Sequence, residues 1–226
     1  MARSIADAAL DAADRALPWV VPAYASVAWI GGGPTVDATA MDEVLQLLAL
    51  PVLLLACTAL LLDPPRARLT RAAVVVAALV ACVPLLQLLP LPAASWGWGD
   101  FRPALALDLQ AAGVARPRAW TLVPDATERS LYALLPALAC MFGALALGPA
   151  RVRRLPILVL VLVLANLAFG VFQGGLPDDS PLRLYRGNGS GIGGVLVNGN
   201  HQGTALAIGM VLGIGLWARE RLRGGG

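Results

Sequence analysis

The sequence predicts an all-α fold: a polytopic membrane protein of about six transmembrane helices with both termini in the cytoplasm. Three observations lead there. Hydrophobic residues make up 58% of the 226 and charged residues 14%, whereas soluble domains carry roughly a quarter charged residues. Such a chain lacks the polar side chains to cover a globule, and it holds too much apolar surface to stay disordered. Second, apolar runs of spanning length recur along the chain. Third, all 17 basic residues are Arg, and they cluster between those runs rather than along a stripe with interleaved aromatics. That pattern writes membrane topology and argues against nucleic acid as a partner.

Taken in order, residues 1–17 hold Arg3, Arg15 and three acids. Asp7, Asp11 and Asp14 fall on one helical face opposite Ile5, Ala9, Leu10 and Ala13, as expected of a short interfacial helix rather than a secretory signal. The first span is expected at 17–30, shortened by Pro22 and bracketed by Trp19 and Trp29. Further spans are expected at 44–62, 72–89, 131–147, 155–172 and 202–218, none with a charged residue inside. One central Arg or Asp would cost about 2.5–3.5 kcal/mol on insertion scales, so that absence is informative. Residues 18–218 thus form the transmembrane domain, and 219–226 an Arg/Gly tail.

Orientation follows from Arg. The segments 1–17, 63–71, 148–154 and 219–226 hold 11 of the 17, and six spans place all four on one side, the cytoplasm. Two outer loops remain, near 92–128 and 174–201. The first carries Trp96, Trp98 and Trp120, and its stretch 104–115 suits a helix along the outer surface. The second is rich in Gly and polar residues, and long loops of distinct composition are where function concentrates.

Most local signals have a plain reading. Cys57, Cys82 and Cys140 lie within apolar runs and read as small buried hydrophobes. His201 is the sole histidine, so no multi-His metal site is expected, and a chain without Lys has no Walker A motif, so no nucleotide cofactor is expected. Gly189, Gly191 and Gly194 match a dinucleotide fingerprint in spacing but lack the strand and helix that would give it meaning. Asp178 and Asp179, flanked by Pro177 and Pro181, read as a turn. Asn166 is the deepest polar residue in a span and reads as a hydrogen-bonding group between helices. Ala205, Gly209 and Gly213 recur every fourth residue, as on a close-packing face.

One cluster has two readings. Asn198, Gly199, Asn200 and His201 stand where the last span enters from outside, with Arg183 and Arg186 upstream. A helix N-terminus offers free N–H groups and partial positive charge, so with two guanidinium groups it suits a phosphate or diphosphate. The plainer reading is a polar turn in which Asn198 caps the helix and the Arg side chains lie at headgroup level.

Three pieces in this order resemble the O-antigen ligase and O-antigen polymerase superfamily of the bacterial envelope. They are Gln87 with Pro90-Leu91-Pro92 and Trp96; Trp120-Thr121-Leu122-Val123-Pro124-Asp125-Ala126-Thr127; and Val195-Leu196-Val197-Asn198-Gly199-Asn200-His201. The second has Val123 at a position that is polar in the family, and the third has Gly199 where the family often has Arg. The resemblance implies glycosyl transfer on the periplasmic side of the inner membrane. The donor would be a glycan on undecaprenyl diphosphate, and the acceptor a growing glycan or lipid A–core. It further implies lipid-diphosphate contacts at Arg183, Arg186, Asn200, His201 and Arg129, with no metal. Family members are longer, and a later periplasmic loop carries their catalytic residues. The chain is therefore expected to be an N-terminal portion, with its own catalytic residues unknown. The alternative is a non-catalytic membrane scaffold or a transport-related protein.

Overall fold

The computed structural model describes residues 4–33, 40–65, 67–92, 101–113, 119–177, 179–184, 194–196 and 199–224. Among these the protein is all-helical, with helices α1 (Ile5–Gly31), α2 (Ala40–Leu62), α3 (Arg68–Leu88), α4 (Arg102–Ala111), α5 (Pro124–Ala146), α6 (Pro149–Val152), α7 (Leu155–Gly174) and α8 (Gly199–Gly224). Five helical stretches are long and apolar enough to cross a bilayer: α2, α3, α5, α6 with α7 (Pro149–Gly174), and α8 (Gly199–Arg223). Many large apolar side chains on them are exposed, including Leu54, Leu79, Val161 and Val211, as lipid-facing surfaces require. These are the marks of a multi-pass membrane protein.

Two compact units make up the chain: Met1–Pro64 with Leu138–Gly226, and Pro65–Ala137. In the first, α1 departs from expectation. The interfacial helix and the following apolar run form one continuous helix of 27 residues. Ser4 and Asp7 start it with a reciprocal capping box. Pro18 and Pro22 lie inside without ending it. Its buried stripe, Ala13, Leu17, Val21 and Tyr24, crosses the boundary between the two halves, and this shared face is why no break occurs. α1 is nevertheless not among the five, since Asp11, Asp14 and Arg15 interrupt its apolar stretch. From Ala16 to Gly31 it rises only about 24 Å.

The stripe of α1 packs against α2, whose buried positions are Leu45, Ala49, Val52, Ala56 and Ala59. Apolar burial drives little between helices in lipid, so small residues that permit close approach matter most. The Tyr24 hydroxyl donates to the Leu45 carbonyl at 3.0 Å. In the N-terminal half of α1, the Arg151 guanidinium donates to the Asp14 carbonyl at 2.8 Å. Gly143 of α5 lies on Val21, and a Cβ there would stand 2.7 Å from Val21 Cγ2. Gly143→Leu is therefore expected to lower stability by about 1–3 kcal/mol through overpacking. Thermal unfolding in detergent reads this directly, and an unchanged midpoint would refute it.

In the second unit, the chain leaving α3 meets the chain entering α5. The Thr121 N–H donates to the Gln87 carbonyl at 2.8 Å and the Trp120 N–H to the Leu89 carbonyl at 3.3 Å. Pro90 and Ala119 form an isolated antiparallel bridge. The buried Arg102, at the start of α4, donates to the Trp120 carbonyl at 2.5 Å. α4 occupies most of the stretch expected to be helical in the first outer loop. α5 starts earlier than expected, because Pro124 is pre-set for the first turn and Asp125 complements the helix dipole. Arg129 is thus an exposed helical residue.

The three cysteines are free. Cys82 corrects the expectation of burial: it is exposed on α3, whose buried positions are Ala77 and Pro84. A small apolar side chain can face lipid as readily as a core, which composition does not distinguish.

Candidate functional site

The most polar interior of the first unit gathers around Asn166. This residue lies within α7, eight positions before the helix ends at Gly174, a rise of about 12 Å. Asn166 and Gln202 of α8 are each only 4% exposed. The Asn166 Nδ2 donates to Gln202 Oε1. Asn166 Oδ1 accepts from the Val195 backbone N–H at 2.7 Å. The expected interhelical hydrogen bond is present, and it holds a third element as well.

That element is a single 3-10 turn, Gly194–Leu196, packed against α1, α7 and α8. The turn Gly194–Leu196 therefore lies at the depth of Asn166. Irregular backbone far below a helix end is tolerated only where protein or enclosed water satisfies its polar groups. Gly194 makes the approach possible. Its φ is +56°, and a Cβ would stand 2.8 Å from the Asn166 carbonyl oxygen and overlap the side-chain oxygen as well. Only a residue without a Cβ fits there.

One donor in the cluster has no acceptor. Gln202 Nε2 is buried without a hydrogen-bond partner among the described residues. It lies in the first turn of α8, where N–H groups are also free of intrahelical partners and the helix dipole is positive. Donors dominate here, so the arrangement suits an anionic or carbonyl oxygen. α8 then packs on α7 further along, where a Cβ on Gly209 would stand 2.8 Å from Val163 Cγ1. Ala205 is buried too, but Gly213 has open space around it, so the close-packing face is shorter than the expected Ala205–Gly209–Gly213 repeat.

The residues singled out from sequence take different places. Asn200 and His201 are exposed in the first turn of α8, which begins at Gly199 rather than after the expected loop, and they are next to Gln202 in sequence. The Asn200 carbonyl accepts from Thr204 Oγ1 at 2.9 Å. Arg183 is half-buried and donates from Nη2 to the Leu176 carbonyl at 2.9 Å, just past the end of α7. Gln173 Nε2 donates to the Leu182 carbonyl at 3.3 Å, so Leu182 lies back against the end of α7. The turn expected around Pro177 and Pro181 is present, closed by Ser180 N–H to the Pro177 carbonyl at 3.1 Å. Arg129 belongs to the second unit. Arg186, Asn198 and Asp178 lie outside the described residues.

No family model, curated protein or solved structure matches the chain. The site therefore has to be read from its own chemistry. Sequence reasoning passed over Gln202 and the partnership of Gly194 with Asn166. A signal existed: an amide inside an apolar run needs a partner at its own depth, and Gln202 is an amide that opens the next one.

Proposed function

We propose that this protein is a multi-pass protein of the bacterial inner membrane, of the O-antigen ligase and polymerase type. On this reading it handles a glycan carried on undecaprenyl diphosphate at the outer face, transferring or polymerising it toward an acceptor glycan or lipid A–core. The observation that carries the reading is the donor-rich start of α8, where Gln202 Nε2 lacks an acceptor beside the exposed Asn200 and His201. A diphosphate supplies acceptor oxygens, and a 26-residue helix directs its positive end at them. Two of the three family-like pieces are also hydrogen-bonded to each other, through Thr121 to Gln87 and Trp120 to Leu89.

The reading includes six spans with both termini inside, α1 being the sixth. Asp14 of α1 touches Arg151, in the tight Arg-rich connection between α5 and α7. Tyr24 and Gly31 meet the beginning of α2, at Leu45 and Met41. α1 therefore runs alongside α2, with Tyr24 and Gly31 at the beginning of α2 and Asp14 at the Arg-rich connection, which supports a crossing despite its short apolar stretch. Reporter fusions after Arg68, Arg153 and Arg223 are expected to be active inside, and a fusion after Ala111 outside. An Arg153 fusion active on the outer face would reverse the assignment.

Lipid binding tests the function. Asn200→Ala with His201→Ala removes two exposed side chains, and thermal unfolding checks that the double variant stays folded. Affinity for undecaprenyl diphosphate should fall roughly tenfold or more, since hydrogen bonds to charged groups contribute about 1.5–3 kcal/mol. Equal affinity in the double variant would remove α8 from the site. A transport-related role is the second reading, favoured by the irregular turn beside a helix start at depth, an arrangement that transporters use for substrates. Uptake of a lipid diphosphate into proteoliposomes without glycan transfer would favour it.

A further inference from the structure

The second unit holds a cleft of about 340 Å³ between the end of α3 and the start of α5. Its polar lining is Gln87, Thr121, Thr127 and Ser130; Leu122, Val123 and Ala126 supply the apolar remainder. We infer that this cleft binds a neutral sugar ring. This site is separate from the start of α8, and the inference does not rest on the diphosphate reading.

The hydrogen-bond inventory leads to that class of ligand. A hydroxyl has one donor and two acceptor positions. Thr121 Oγ1 accepts from Thr127 Oγ1 at 2.8 Å and from the Val123 N–H at 3.2 Å, which leaves its own O–H to donate. Ser130 Oγ donates to the Ala126 carbonyl at 2.9 Å, which leaves its lone pairs to accept. Thr127 likewise donates within the wall and keeps an acceptor. Gln87 is exposed and brings an amide with both capacities. Among the described residues the cleft lining thus presents mixed donors and acceptors and no charged side chain. A phosphate would meet no counter-charge in that lining, and an apolar tail would strand the hydroxyls. A sugar ring, whose hydroxyls both donate and accept and whose C–H faces are apolar, matches each part.

Size and rigidity agree. Ligand pockets occupy roughly 300–1,000 Å³, so this cleft suits a mono- or disaccharide rather than a long glycan. The walls are fixed before binding by Thr121 to Gln87, Trp120 to Leu89 and Arg102 to Trp120, which lowers the cost of ordering them. Trp120, adjacent to Thr121 in sequence, is 62% exposed. The cleft also lies where two candidate spans end, at Leu88 and Pro124, the level at which sugar headgroups of membrane lipids reside.

The test uses the full chain in phospholipid nanodiscs, free of glycosidic detergent. One arm titrates methyl glycosides of glucose, galactose and N-acetylglucosamine, followed by saturation-transfer NMR and tryptophan fluorescence. The other uses nanodiscs containing a neutral galactolipid. Binding of a free glycoside identifies a soluble sugar or glycan end, and binding of the galactolipid alone identifies a headgroup; either supports the inference. Gln87→Leu and Ser130→Ala should each weaken binding by roughly tenfold with unchanged thermal midpoints, and Thr127→Val should do so while keeping the shape of the wall. The exposed Gln87 keeps the test valid should Thr127→Val fail to fold. No binding in either arm, equal binding by Gln87→Leu and Ser130→Ala, or displacement by inorganic diphosphate would overturn it. The Asn200 and His201 variants should leave sugar binding intact, so failure at one site is separable from failure at the other.

Discussion

Asn166→Leu is expected to lower stability by about 2–4 kcal/mol, among the largest losses available to a single substitution in this chain. The side chain serves two partners, accepting from Val195 and donating to Gln202. Its removal deprives the Val195 N–H of that acceptor and takes from the buried Gln202 Oε1 its donor, in an amide whose Nε2 already lacks a partner among the described residues. Each buried polar group stranded in this way costs roughly 1–3 kcal/mol. Side-chain hydrogen bonds between membrane helices often measure only about 0.6 kcal/mol, because the separated helices find other partners. The upper range applies here because one side chain ties α7 both to α8 and to the 3-10 turn. Denaturant unfolding in mixed micelles gives the number, and a loss under about 0.5 kcal/mol would show that the cluster is not structural. Asn166→Leu combined with Gln202→Leu should recover part of the loss, since removing both partners is cheaper than stranding one.

Gly194→Ala should cost a comparable amount by a different route. A left-handed backbone costs a non-glycine residue about 1–2 kcal/mol. The new methyl group would also meet a backbone carbonyl of α7 at 2.8 Å, and a carbonyl in a helix cannot rotate aside. The expected total is roughly 2–4 kcal/mol, or release of the 3-10 turn from α7. Release is measured by placing the sole cysteine at Val195, with Cys57, Cys82 and Cys140 replaced, and following its reaction with a membrane-impermeant maleimide. Gly194→Asn separates the two causes, because Asn tolerates the left-handed region but still carries a Cβ. Gly213→Ala is the control: it has open space, and it should gain up to about 1 kcal/mol from helix propensity. Equal behaviour at the two glycines would refute the account.

What could be read from sequence follows from which forces act locally. Spans rest on long apolar runs and Arg-rich connections, and five of the six expected runs lie in helices of spanning length and composition. Helix ends were harder: α5 and α8 begin before their apolar runs do, because Pro124 and the polar first turn of α8 are helical without being hydrophobic. The continuity of α1 was hidden for a related reason, since its polar and apolar halves differ in composition but share one buried stripe. Asn166 was legible as an interhelical amide because a lone amide in an apolar run has few alternatives. Its partners were not, as they depend on the long connection between α7 and α8 returning to the interior. The sugar cleft was illegible for the same reason: Gln87 and Thr121 are brought together by backbone bonds across a separation that no local pattern encodes.

The coupling of Asn166 to Gln202 also bears on how the chain enters the bilayer. Of the five candidate spans, the stretch containing α7 is the most apolar and α8 the least. α7 leaves the translocon first and can partition into lipid on its own. α8 follows with a polar opening turn that lipid disfavours, yet it meets an amide already waiting at the matching depth. Insertion of the last span thereby becomes templated by its predecessor, and a change at Asn166 would be felt during synthesis, as retention of α8 outside the bilayer, before the finished protein had any stability to lose.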